Sequence, residues 1–171
     1  MNAYVMALGM FDGVHLGHRA LLAQTAAEAK RRDIRSLVYT FSNHPKSVFS
    51  TAPEPLMSAD EKRQIILSLG IDEVVMRPFD KETANLSPEA FIEGILSEYR
   101  VQCFAVGRDY AFGRGGKGNV ETLLSLGKTH GFGVLAIDDV LYEGETISST
   151  RIRALLDAGD AETAKKLLGA E

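Results

Sequence analysis

The chain has 171 residues, 45% apolar and 25% charged, which is enough for one globular domain with a full core and leaves no room for a second. Its net charge of −4 argues against a general nucleic-acid binder, which needs a basic field over its surface, so any anion site has to be local. A single cysteine, Cys103, rules out an internal disulfide, no stretch nears the roughly 20 apolar residues that cross a bilayer, and no signal peptide precedes Tyr4, so a reducing cytoplasm is expected.

The apolar run Tyr4 to Leu8 predicts a strand, broken at once by Gly9 and Gly13, and a helix is expected over Leu16 to Arg31. Leu21, Leu22, Ala26 and Ala29 lie along one side of that helix. The connection, Gly9-Met-Phe-Asp-Gly-Val-His-Leu-Gly-His18, sets two imidazoles three residues apart at a helix start. There, unpaired backbone N–H groups and the positive end of the helix dipole attract an anion. Gly17 lets a polyphosphate come close to the backbone, while His15 and His18 can donate ring N–H groups to its oxygens. Two other uses compete. Zinc would need further ligands, of which only Asp12 lies nearby in sequence and His44 would have to arrive through folding. A purely structural cap would leave the three glycines Gly9, Gly13 and Gly17 unexplained.

Leu37 to Phe41 reads as the second strand, followed by Thr40-Phe-Ser-Asn-His-Pro45, a loop stiffened by Pro45. Ser58 to Glu61 has the capping-box pattern ahead of Ile65, Ile66 and Leu69, with Gly70 as the stop. Asp72 to Met76 supplies a strand, Ser87-Pro88 opens a helix bearing Phe91, Ile92, Ile95 and Leu96, and Val101 to Val106 returns as a strand with Cys103 in its apolar run. The glycine-rich, locally basic loop 107–118 then leads to a helix over Asn119 to His130 and a fifth strand over Gly133 to Ile137. Helices over Ser149 to Ala158 and Asp160 to Leu168 finish the chain. This alternation indicates an α/β fold, a mainly parallel five-stranded sheet with helices on both faces, whose ligands gather at the carboxyl ends of the strands.

Ile147-Ser-Ser-Thr-Arg-Ile-Arg153 also falls after a strand. Its hydroxyls suit helix capping, and Arg151 and Arg153 add guanidinium groups able to fork a phosphate. Gly113-Arg-Gly-Gly-Lys-Gly118 satisfies the G-x-G-x-x-G string, but six residues separate Val106 from Gly113, too many for a dinucleotide fingerprint. A Walker A loop fails because Gly118, not serine or threonine, follows Lys117.

Four segments in this order, Gly9-x-Phe-Asp-Gly-x-His-x-Gly-His18, Thr40-Phe-x-x-His-Pro45, Val106-Gly-x-Asp-Tyr-x-Phe-Gly113 and Ile147-Ser-Ser-Thr-x-Ile-Arg153, resemble the FMN adenylyltransferase module of bacterial FAD synthetases. The similarity spans nearly the whole chain and implies a Rossmann-like nucleotidyltransferase fold of the H-x-G-H superfamily. Typical bacterial versions continue into a riboflavin kinase domain, so the chain, as one domain over 1–171, resembles the adenylyltransferase half. Ala111 and Asn119 depart from the family's frequent arginine and aspartate, which affects the details of the 107–119 loop.

The reaction implied by the resemblance is ATP + FMN → FAD + pyrophosphate, with magnesium carried mainly by the nucleotide phosphates and no protein ligand named for it. In the family's pattern His15, His18 and Arg151 are catalytic, with His18 stabilising charge at the α-phosphate. ATP would be held by Gly9, Phe11, Asp12, Gly13, Gly17, Gly107, Asp109, Phe112, Ser148, Ser149, Thr150 and Arg153. FMN would face Thr40, Asn43, His44 and Pro45. A related nucleotidyltransferase with another phosphorylated acceptor, and a non-catalytic nucleotide- or flavin-binding protein, are the alternatives.

Overall fold

In a computed structural model that describes residues 2–49 and 52–169, the five expected strands form β1 (Ala3–Leu8), β2 (Arg35–Phe41), β3 (Glu73–Arg77), β4 (Arg100–Gly107) and β5 (Gly133–Ile137). Met1, Ala170 and Glu171, the ends of the expected 1–171 domain, lie outside the described residues. All strand pairs in this sheet are parallel, in the order β3-β2-β1-β4-β5. Around the sheet run α1 (Leu16–Arg31), α2 (Ala59–Ser68), α3 (Lys81–Ala84), α4 (Pro88–Glu98), α5 (Val120–His130), α6 (Ser149–Asp157) and α7 (Ala161–Leu168).

Strand side chains alternate between faces, and the sequence supplies apolar groups to both. Tyr4, Met6 and Leu8 of β1 pack with Phe91, Ile92 and Ile95 of α4 and Leu123 of α5. Ala7 turns to the opposite layer, against Leu21 and Leu22 of α1 and Ile66 of α2, and Val5 meets Ala29. A register shift between Tyr4 and Val5 skips Gln102, so Val101 and Phe104 share one face although three residues apart. Full burial of side chains such as Leu22 and Ile66 stabilises the layers by roughly 1.5–3 kcal/mol each.

Helix starts follow the expected chemistry. Ser58 Oγ accepts the Glu61 N–H at 3.1 Å, and Ser87 Oγ accepts the Ala90 N–H at 3.1 Å with Pro88 as the next residue. Two elements go beyond the sequence reading. The short α3 is capped by Asp80, whose carboxylate accepts the Thr83 N–H at 2.8 Å. A hairpin of β6 (Leu141–Tyr142) and β7 (Glu145–Thr146) turns at Glu143 and Gly144, both at positive φ, which matches the twist of a tight antiparallel pair.

The chain moves from β1 out to β2 and β3, then returns to β4 on the other side of β1. The crevice beyond the carboxyl ends of β1 and β4 is therefore the switch point of the sheet, where open α/β folds bind ligands.

Candidate active site

From β1 the chain passes through Gly9 and Met10 into a turn wound in the left-handed sense, with φ of 54° at Phe11, 83° at Gly13 and 43° at Val14. For the two non-glycine residues this conformation costs of order 1–3 kcal/mol each, so neighbouring bonds have to hold it. Asp12 provides them: its carboxylate accepts the Leu56 N–H at 2.9 Å and pairs with Arg153, while its carbonyl accepts the Ser149 hydroxyl at 2.9 Å. Arg19 Nε donates to the Val14 carbonyl at 2.9 Å. A Cβ at Gly13 would stand 2.8 Å from Leu56 Cδ1, so both conformation and space require glycine.

His15 then caps α1, and the two histidines cap each other. Nδ1 of His15 accepts the His18 N–H at 3.2 Å, and Nδ1 of His18 accepts the His15 N–H at 3.3 Å. The rings stack with centroids 3.5 Å apart and planes 15° apart, and Phe11 meets His18 edge-on at 5.3 Å. Because each Nδ1 accepts a hydrogen bond, each neutral ring carries its proton on Nε2. Burial disfavours the cation at both positions. It holds His15 down at about 4 despite the opposing pull of Asp12, and it takes His18 well below the ordinary imidazole value, with His15 and Lys62 adding to the effect. At neutral pH the pair is two fixed, uncharged Nε2–H donors.

The second helix start belongs to α6, where Ser148 Oγ accepts the Arg151 N–H at 3.1 Å. Ser148 and Ser149 line one cleft of about 280 Å³ together with His15, Gly17, His18, Gly107 and Asp109. Segments more than a hundred residues apart in sequence thus meet, and the N-termini of α1 and α6 share a space suited to phosphate. Asp138 and Asp139 also line this cleft.

Bordered by Gly9 and Met10 lies an apolar cavity of about 460 Å³, walled by Phe41, Phe79, Phe91, Tyr110 and Phe112, with Pro45 and Phe49. Phe41 meets Phe79 edge-on at 4.9 Å, and Tyr110 stacks on Phe112 at 5.5 Å. Burial pushes the Tyr110 phenol up, so it stays protonated. Such walls suit a flat aromatic ligand. A smaller polar cavity of about 90 Å³, lined by Asp12, Asn43, His44 and Lys62, shares Met10 with the aromatic one.

Over residues 1–151 the chain matches the family model for FAD synthetase. The chain belongs to the FAD synthetase family. Curated relatives include the bifunctional riboflavin kinase/FMN adenylyltransferases of Listeria monocytogenes, 34% identical over 168 residues, and of Escherichia coli, 36% identical over 168 residues. These alignments cover 96% of this chain but 53% and 54% of the relatives, so the chain spans about half the length of the curated relatives it matches. A crystal structure described as a macrolide-efflux protein from Streptococcus pneumoniae is similar with a TM-score of 0.89 at 28% identity, over 99% of this chain and 56% of that one. Among the described residues of this FAD synthetase-family chain, no helix is long and apolar enough to cross a membrane.

Several predicted site residues stand elsewhere. Phe112, grouped by sequence with Gly107 and Asp109 around a nucleoside, lines the aromatic cavity instead, because its bridge with Gly118 folds the loop back beside Phe91. Arg153, expected on a phosphate, pairs with Asp12 and donates to the Glu54 carbonyl at 3.0 Å. Arg151 donates to the Glu145 carbonyl at 2.8 Å and lies over the Tyr142 ring at 5.5 Å. Thr150 is exposed on the first turn of α6, Gly9 borders the aromatic cavity, and Phe11 is buried behind the histidines.

The 40–45 segment divides. Thr40 Oγ1 donates to the Met10 carbonyl at 3.1 Å, and Asn43 clamps Phe79 through bonds of 2.7 and 2.8 Å. His44 faces the polar cavity and Pro45 the aromatic one. Both Nδ1 atoms of the histidine pair are occupied by backbone N–H groups, which leaves the zinc alternative without its chelate, and among the described residues no three metal-ligating side chains cluster.

Sequence reasoning missed Lys62, which is only 5% exposed. Its Nζ donates to the carbonyls of Met10 and Phe41 at 3.0 Å each, and burial lowers its pKa against the pull of Asp12. The available signal was its spacing: Lys62 precedes Ile65 and Ile66 by three and four residues, on the apolar face of α2.

Proposed function

We propose that this chain transfers the adenylyl group of ATP to FMN. A phosphate oxygen of FMN forms a bond to the α-phosphorus while the bond from that phosphorus to the bridging oxygen breaks, giving FAD and pyrophosphate. The FMN phosphate is already ionised near pH 7, so no general base is needed and the protein's work is positioning and charge stabilisation.

The observation that carries this reading is the mutually capped His15–His18 pair, facing the same cleft as Ser148 and Ser149. Donors locked by a stack need no rearrangement as charge builds on the α-phosphate. The start of α6, with Ser148 and Ser149 on the cleft, receives the β- and γ-phosphates. Gly107 and Asp109 border the nucleoside. The aromatic cavity takes the isoalloxazine ring, with Phe112 on that side and the polar cavity at His44 beside the FMN phosphate. Magnesium would be carried by the ATP phosphates; of the two carboxylates on the cleft, Asp138 is paired with Arg108, and Asp139 would offer the oxygen chemistry this ion prefers around its hydration shell. The buried, free thiol of Cys103 fits a cytoplasmic protein.

Purified protein given ATP, magnesium and FMN is expected to release FAD and pyrophosphate in equal amounts. No FAD from folded protein at saturating substrate overturns the reading. Preference for another phosphorylated acceptor over FMN reassigns the aromatic cavity.

A further inference from the structure

The proposed reaction brings two anions together, yet neither histidine contributes a charge. Arg153 is paired with Asp12, and the Arg151 guanidinium is held by the hairpin carbonyls. Lys62 is different. It occupies a core-facing position one turn before the fully buried Ile66, where an apolar residue would fold at less cost. Its three acceptors are neutral: the Met10 and Phe41 carbonyls at 3.0 Å, and Thr40 Oγ1 at 3.5 Å. The ammonium therefore has no carboxylate bonded to it at the carboxyl ends of β1 and β2: Asp12, whose charge acts on it, is already paired with Arg153, and the field of Lys62 reaches His18. Lys62 lines the polar cavity together with His44 and Met10, and Met10 also lines the aromatic chamber.

We propose that Lys62 is a positioning residue for the acceptor phosphate: its buried ammonium draws the phosphate of FMN out of the polar cavity's solvent and toward His18. The inference rests on the FMN reading above. It differs from a bracing role, in which the lysine would only tie Met10 to Phe41, because bracing is indifferent to whether the flavin carries a phosphate.

Affinities for FMN and riboflavin, measured by flavin fluorescence on folded protein, separate the two roles. Wild type is expected to prefer FMN. Lys62→Gln, which keeps a donor but loses the charge, should reduce that preference by about tenfold or more, raise KM for FMN, and leave riboflavin binding unchanged. Lys62→Arg should keep the preference within about threefold. An unchanged FMN-to-riboflavin ratio in Lys62→Gln overturns the proposal, whereas a wild-type protein that binds neither flavin overturns the FMN reading itself.

Should Lys62→Gln fail to fold, the same ratio is followed from pH 7 to 10 in a Lys46→Gln background. Asp12 acts on the Lys62 charge, Lys62 acts on His18, and His44, which lines the same cavity, feels Lys46 and Arg153; this background removes the other lysine among these groups. The proposal requires the FMN preference to fall as the Lys62 ammonium loses its proton. A flat ratio contradicts it.

Discussion

Gly17→Ala adds one methyl group where the His15 ring lies against the start of α1. That carbon would stand 2.9 Å from His15 Cε1 and 3.1 Å from Nδ1, whereas non-bonded carbon atoms settle at about 3.5–4.0 Å. The ring has to move outward by roughly 0.5–1 Å to restore that separation. It cannot do so without stretching the 3.2 Å bond from the His18 N–H and opening the 3.5 Å stack. Stability should change little, because the lost hydrogen bond, about 0.5–1.5 kcal/mol, is offset by the roughly 0.5–1 kcal/mol that alanine gains over glycine in a helix. Turnover should not be spared, since a displacement of about 1 Å at a reacting group can cost on the order of 10²-fold. Steady-state FAD formation beside thermal melts reads both quantities. The expected result is a kcat lower by about 30- to 100-fold with a Tm within about 3 °C of wild type. A folded Gly17→Ala protein with wild-type kcat would refute the assignment of the stacked pair to the chemistry.

Other consequences are equally direct. His18→Ala removes an Nε2–H donor and should lower kcat by about 10²-fold with a smaller change in KM for ATP, measured by initial rates; a loss below tenfold would remove His18 from the transition state. His15, held at about 4 in the folded chain, takes up its proton more readily when unfolded, so the stability it confers is complete above about pH 6.5 and is lost as pH falls toward about 4, by roughly 3 kcal/mol at most. Urea midpoints between pH 8 and 4 should decline over that window, and His15→Gln should make the decline shallower, with His18, also held down by burial, supplying the remainder. Asp12→Ala strands Arg153 and the Leu56 N–H, and should destabilise by about 2–3 kcal/mol in urea titration; a neutral effect would mean the left-handed turn is held otherwise. Phe49, 74% exposed on the rim of the aromatic cavity, can be truncated without touching the core. Phe49→Ala should raise KM for FMN about fivefold or more while KM for ATP stays fixed, and equal changes in both would place the flavin elsewhere.

The alternation of strands and helices was legible because the breaks are chemically marked: Ser58 to Glu61 and Ser87-Pro88 begin helices as local hydrogen bonding dictates. The histidine pair was legible for the same reason, since residues three apart at a helix start share one face. Arginines 151 and 153, read from the sequence as a joint clamp, part in the structure. Positions two apart on a helix point to different sides, so one guanidinium meets the hairpin and the other meets Asp12. Phe112 lies near Asp109 in sequence but not in the same cavity, because a long-range return of the chain at Gly118, invisible to local pattern, decides its side. Lys62 sits among Asp60, Glu61 and Arg63, charged neighbours that mask its place on the apolar face of α2. Only the tertiary approach of the β1 and β2 ends, each offering a carbonyl, turns it inward.

The most direct measurement of the central claim is to supply ATP labelled at the α-phosphorus, or separately at the γ-phosphorus, together with FMN and magnesium, and to resolve the products. The account predicts that the α-label enters FAD, the γ-label leaves in pyrophosphate, and both transfers fall together in His18→Ala. A γ-label in the flavin product, or flavin carrying no label from either nucleotide, would contradict it.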